Sequence, residues 1–140
     1  MEQEDKELLL KDLCARLPYG VKCKYYDYYN DDYYDGNICG FERQEYIQID
    51  GVCIHIEEVK PYLFPLSSMT GEQLFEVQEI LGKNEIKLED GFLRIVDSDR
   101  DTISYLELHA LLNWFYKNHF DIYGLIPKGL AIDATGLNIY

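Results

Sequence analysis

Apolar positions near the start of the chain recur every three to four residues. Leu9, Leu10, Leu13 and Leu17 keep helical spacing, so residues 4–16 are expected to form a helix with its charges on the other side. Pro18 ends it, because a residue that precedes proline is pushed out of the helical region. The pattern then turns extended. Val21 to Tyr28 is rich in Val and Tyr with alternating Lys; Asn30 to Gly36 reads as a loop, and Asn37 to Phe41 as a second strand.

The next segment carries the firmest local deduction. Glu45 to Ile49 and Val52 to Ile56 flank Asp50-Gly51, a pair that accepts the positive φ angles of a type I′ turn. A two-residue loop sets Ile49 opposite Val52 and Ile47 opposite Ile54. Those four, with Ile56, line one face; Tyr46, Gln48, Cys53 and His55 line the other. Val59 to Leu63 follows as a fifth extended piece. The fold expected is α+β: a small, strongly bent antiparallel sheet or SH3-like barrel packed with about three helices. A turn around Pro61 and Pro65 would close the sheet.

Thr70-Gly-Glu-Gln73 has the form of a capping box, with Leu74, Val77 and Leu81 at helical spacing and Gly82 as the stop. Ile86 to Val96 favours short extended pieces around Asp90-Gly91. Ser104 to Glu107 is a second capping box. It opens a helix to about Asn118 with Leu108, Leu111, Leu112 and Phe115 buried and Trp114 anchoring it on the sheet. Asp121 to Tyr140 reads as loop with one short extended piece. No repeat or linker divides residues 1–140, so one domain is expected.

Composition narrows the function classes. The 140 residues hold 13 Lys plus Arg against 26 Asp plus Glu, a formal net charge of −13. Such a chain is repelled by phosphate backbones and anionic membranes, so the expected partner is a protein, with no direct nucleic-acid or membrane contact. Met1 to Lys6 is polar and acidic, without the basic-then-apolar order of a secretory leader. A cytoplasmic location is expected. Cys14, Cys23, Cys39 and Cys53 form no C-x-x-C pair and are expected as free thiols. The last three fall in expected strands, where small thiols are commonly buried.

Candidate chemistry is sparse. Asp97, Asp99 and Asp101 match the opening of a calcium loop. Thr102, Ser104 and Leu108 stand where that loop needs Gly, an apolar residue and a bidentate Glu, so helix-dipole complementation is the better account. Asp27, Asp31, Asp32 and Asp35 are expected to serve loop turns rather than a cation. His55, His109 and His119 accompany no nucleophile or metal motif, although a charged His119 would suit a helix C-terminus. No catalytic residue, metal or cofactor is assigned.

What stands out is residues 24–36, with six tyrosines and four aspartates around one hairpin loop. Both faces of the hairpin carry phenols, so some rings must meet water or a partner. Tyrosine gives a large, stiff, amphipathic contact at low entropy cost. Tyr25, Tyr26, Tyr28, Tyr29, Asp31, Asp32, Tyr33 and Tyr34 are therefore the candidate binding residues.

Three blocks add a resemblance. Glu7 to Val21 (ELLLKDLCARLPYGV), Val59 to Thr70 (VKPYLFPLSSMT) and Asn118 to Ala131 (NHFDIYGLIPKGLA) are similar to blocks of a family of small uncharacterised proteins. The family is abundant in gut anaerobic bacteria, their prophages and their phages. The resemblance implies a mobile-element accessory protein and carries over no functional residue. In the closing block, Phe120, Tyr123, Leu125 and Ile126 are expected to cover a core face. The expected function is a non-enzymatic acidic interaction module. Its rivals are an acidic nucleic-acid mimic that inhibits a host DNA- or RNA-binding protein, and a small hydrolase or ligand-binding protein.

Overall fold

The computed structural model describes residues 1–43, 45–82, 85–89, 92–96 and 105–140, with the backbone alone for 85–89, 92–96 and 105. Asp90-Gly91, Asp97, Asp99, Asp101 and the capping residue Ser104 lie outside the described residues.

The expected α+β class is observed. Helices α1 (Gln3–Arg16), α2 (Gly71–Leu81) and α3 (Tyr105–Lys117) accompany β1 (Lys22–Asp27), β2 (Asp32–Glu42), β3 (Tyr46–Ile49), β4 (Val52–His55), β5 (Val59–Leu63) and β8 (Ile132–Asp133). These strands make one sheet in the order β4-β3-β2-β1-β5-β8. A separate hairpin pairs β6 (Glu85–Glu89) with β7 (Phe92–Val96), as the extended reading of Ile86 to Val96 required.

The six-stranded sheet corrects two expectations. It is open rather than a closed SH3-like barrel, and it is mixed, because β8 joins β5 in parallel. Pro61 turns nothing: it lies inside β5, its Cα opposite Cys23. Proline is tolerated there because β5 lies near the sheet edge, beside only the two residues of β8. The β3–β4 register is the one deduced, Ile49 with Val52 and Ile47 with Ile54. Asp50 and Gly51 take φ of 49° and 86°. Ile47, Ile49, Ile54 and Ile56 are buried, while Val52, beside the turn, is exposed.

One face of the sheet packs on α1. The stripe that α1 buries is Leu9, Asp12, Leu13 and Arg16, an i, i+3, i+4, i+7 set. Two of its charges are therefore inside, contrary to the sequence reading. They are tolerated because they neutralise one another: Arg16 Nε donates to Asp12 Oδ2 at 2.7 Å and Nη2 to Oδ1 at 2.9 Å. Arg16 Nη2 also donates to the Phe120 carbonyl, which ties α1 to the chain leaving α3.

The closing segment behaves as expected. Asp121 accepts from the backbone N–H groups of Leu125 and Ile126 at 2.8 and 2.9 Å. That turn seats Leu125 in the sheet core, with Tyr123 and Ile126 against it, while Phe120 joins a second core. The second core gathers Leu66, Met69, Val77, Leu81, Leu111 and Phe115. Here α2 begins at the expected capping box. Thr70 Oγ1 accepts from Gln73 N–H, and Gln73 Oε1 accepts from Thr70 N–H. Leu108 is exposed and Leu112 only part-buried, so the buried face of α3 is Leu111, Phe115 and Tyr116. Trp114 anchors α3 on α2 rather than on the sheet, donating to Glu76 Oε2 at 2.9 Å and stacking on Phe120.

Candidate functional site

The tyrosine-rich segment is a two-stranded ribbon. β1 and β2 stay paired from Lys22–Asn37 out to Asp27–Asp32, so the loop is only Tyr28 to Asp31 and not 30–36. Asp27 shapes it. Its carboxylate accepts from the Tyr29 N–H and the Asn30 amide, both at 2.9 Å, an Asx-type turn. Asp31 then takes a left-handed φ of 52°, and Asp32 Oδ1 accepts from Tyr33 N–H.

Alternation along the strands divides the rings. On the core face Tyr25 opposes Tyr34, with ring centres 6.1 Å apart. On the outer face Tyr26 sits edge-on to both Tyr28 and Tyr33, at 4.9 and 5.1 Å. Such T-shaped contacts suit aromatic quadrupoles. Tyr28 donates its hydroxyl to Glu58 Oε1 at 2.6 Å, and this bond raises the phenol above its ordinary range. Lys24 Nζ lies 5.9 Å from the centre of the Tyr33 ring.

Exposure separates two groups within the ribbon. Tyr25 is 8% exposed and Asp27 is buried, so both are framework; Tyr26 is half-buried. Tyr28, Tyr29, Tyr33 and Tyr34 are 69%, 98%, 62% and 40% exposed, and Asp31 and Asp32 are exposed beside them. The structure thus brings the eight sequence-derived residues together on one ribbon, with the four open rings around its tip and on β2.

Other residues enter the outer face that sequence reading missed. Lys24 and Lys60 oppose each other across β1 and β5. With Tyr33, Glu57, Glu58 and Ile132 they line a groove of about 360 Å³. Tyr62 donates to Asp35 Oδ1 at 2.6 Å; burial first, and then this bond, push its phenol up to about 12. The i, i+2 spacing of Lys22 and Lys24 was a visible signal that one strand face is cationic. The pairing with Lys60 was not, since it joins segments far apart in sequence.

The remaining chemistry is dispersed. Cys23 is buried, whereas Cys39 is exposed because its side chain alternates away from the core, and Cys53 is exposed on the non-core face that the hairpin register assigns to it. Burial pushes the Cys23 thiol up, and partial desolvation by neighbouring atoms raises the exposed Cys14 and Cys53 thiols, away from nucleophilic thiolate. His55 Nδ1 accepts from Glu57 N–H, and Nε2 faces Glu45 at 3.2 Å, so it caps a turn. His119 does not serve the helix dipole as a cation. Burial, then Arg16 and Lys22, lower it to about 4. Among the described residues no three His, Cys, Asp or Glu gather as cation ligands, and no helix is long and apolar enough to cross a membrane.

Set against known protein families, curated proteins and solved structures, the chain matches none of them.

Proposed function

We propose that this chain is a non-enzymatic acidic interaction module, of the mobile-element accessory kind that its three sequence blocks resemble. It docks a partner protein through the rings at the tip and open edge of the β1–β2 ribbon. The observation that carries this reading is the exposure of Tyr28, Tyr29, Tyr33 and Tyr34 on one ribbon. Isolated apolar exposure is ordinary, whereas clustered aromatic exposure is a feature of recognition surfaces. The ribbon is also pre-organised. Tyr26 wedges between Tyr28 and Tyr33, and Asp27 holds the loop, so less ordering entropy is lost on docking.

The test is affinity capture from host lysate at low and high salt, with a variant carrying Ser at positions 28, 29, 33 and 34. The expected result is a protein retained by the wild type at both salt levels and lost by a variant that melts as the wild type does. Retention by the variant overturns the reading, and so does its unfolding, which would make the rings core. The charge of −13 favours a second reading, mimicry of nucleic acid toward a host DNA- or RNA-binding protein. Capture that collapses at high salt selects it.

A further inference from the structure

We propose that the partner contributes an extended, Lys- or Arg-bearing segment that adds as a strand along the open edge of β2 at residues 32–35. This rests on the docking reading above and names its mode and the chemistry of the partner.

β2 is bordered unequally. On one side β1 pairs with it from Asp32 to Asn37. On the other, β3 pairs only from Ile38 onward. The turn of the β3–β4 hairpin closes the ladder at Asn37: Asp50 N–H donates to the Asn37 carbonyl at 3.3 Å, and Asn37 N–H donates to Asp50 Oδ2 at 3.2 Å. Residues 32–35 therefore have no strand on that side among the described residues. Ile38 N–H donates to the Val21 carbonyl, so Ile38 faces β1 and Asn37 faces away. Antiparallel alternation then turns the backbone groups of Tyr33 and Asp35 to the open edge; the Tyr33 N–H is taken by Asp32 Oδ1 at 2.8 Å, which leaves the Tyr33 carbonyl and the Asp35 N–H and carbonyl for a partner. That edge runs about 13 Å at the usual strand rise.

The rings show what an added strand would do. Tyr25 and Tyr26, on β1, are covered partly by their neighbours Tyr34 and Tyr33 on β2. Tyr33 and Tyr34 stand on opposite faces of β2 and have no such strand neighbour on their outer side among the described residues. A strand laid on the edge covers both rings as β2 covers those of β1, and gains backbone hydrogen bonds at the Tyr33 carbonyl and at Asp35. That is the β-augmentation mode.

Charge selects the occupant. β2 has no Lys or Arg over its whole length, and Asp31, Asp32, Asp35 and Asp50 flank the open stretch. Edge strands are commonly blunted by lysine, proline or a bulge. The bulge of β2 falls between Ile38 and Gly40, on the paired half, so aspartates alone guard residues 32–35. They repel a second copy of this acidic chain and admit a basic strand.

The probe is a short capped peptide alternating lysine and valine, with a glutamate–valine counterpart and an N-methylated version of the lysine peptide. The readout is amide hydrogen exchange and backbone NMR on the full chain. Saturation with the lysine peptide is expected to slow exchange at Asp35 by about tenfold or more, with no effect from the other two. Asp35→Asn is expected to retain the binding, whereas Asp35→Pro, which lacks the edge N–H, loses it. An unchanged Asp35 exchange rate, or equal binding of the N-methylated peptide, overturns the proposal. Should Asp35→Pro fail to fold, the N-methylated peptide decides. A partner captured through the tyrosines while Asp35 exchange stays unchanged removes the edge mode and keeps the docking reading.

Discussion

The Tyr140 ring lies flat on His119, with ring centres 3.5 Å apart and planes 11° from parallel. The Tyr140 hydroxyl accepts from Lys22 N–H and donates to the Tyr62 carbonyl, both at 2.9 Å. His119, just past α3 with a left-handed φ of 64°, is thereby roofed over. Its Nδ1 is buried without a hydrogen-bond partner among the described residues.

That stack has a pH consequence. The folded imidazole is lowered from 6.5 to about 4 by burial, with Arg16 and Lys22 adding to it. Between those values the unfolded chain binds the proton and the folded chain does not, so this group's contribution to stability is lost as pH falls through the window. The His119 ring resonances are expected to titrate near 4. His119→Asn, whose side chain tolerates the left-handed backbone, should lose stability less steeply across that range than the wild type. An NMR titration midpoint near 6.5 would refute the burial argument.

The Asp12–Arg16 pair is fully buried. Removing one partner leaves the other charge desolvated, which costs about 3–5 kcal/mol, whereas replacing both with apolar residues is often near neutral. Arg16→Met should therefore lower the urea midpoint strongly, and Asp12→Leu with Arg16→Met should recover most of the loss. The recovery will be incomplete because the Phe120 carbonyl also loses its donor. Equal midpoints for the single and double variants would contradict this.

Within the ribbon the rings should divide by burial. Tyr25→Ala removes a buried ring and is expected to cost about 3 kcal/mol. Tyr29→Ala, at the water-exposed tip, should change stability by no more than about 0.5 kcal/mol. Chemical denaturation of the two variants side by side checks the division; comparable losses would mean that the tip is packed.

Among the described glycines, Gly36 is the one where an added Cβ would be most crowded. A Cβ there would lie 2.5 Å from Ile49 Cγ2 and 2.8 Å from Asp50 Oδ2, and both atoms belong to the hairpin that ends the β2–β3 ladder. Gly36→Ala is expected to destabilise by about 1–3 kcal/mol, the usual range for overpacking. The same variant should loosen the Asn37–Asp50 closure, seen as faster exchange of the Asp50 amide. A neutral melt would show that β3 gives way freely.

Much of the fold was legible because it is written in local spacing. The Asp50-Gly51 turn, the Thr70–Gln73 box and the extent of α1 each need only neighbouring residues. The misreadings share another cause. A pattern of apolar residues sets Asp12 and Arg16 outside, because it cannot register two charges that neutralise one another one helical turn apart. The Asp and Gly signals of residues 33–36 describe a loop, yet pairing with β1 overrides that preference. The spacing of Trp114 names a buried side but not what lies across from it, which is α2 and Phe120 rather than the sheet.

By itself the sequence determined the kinds of element, the register of one hairpin and the tyrosine-rich tract as the place to look, since these depend on contacts a few residues long. Only the tertiary structure decided which rings that tract leaves in water, that Lys60 meets Lys24, and that residues 32–35 of β2 have no strand on one side among the described residues. Those outcomes depend on where β3 stops and where β5 and the closing segment arrive. They are packing decisions between segments far apart in the chain, and no local pattern encodes them.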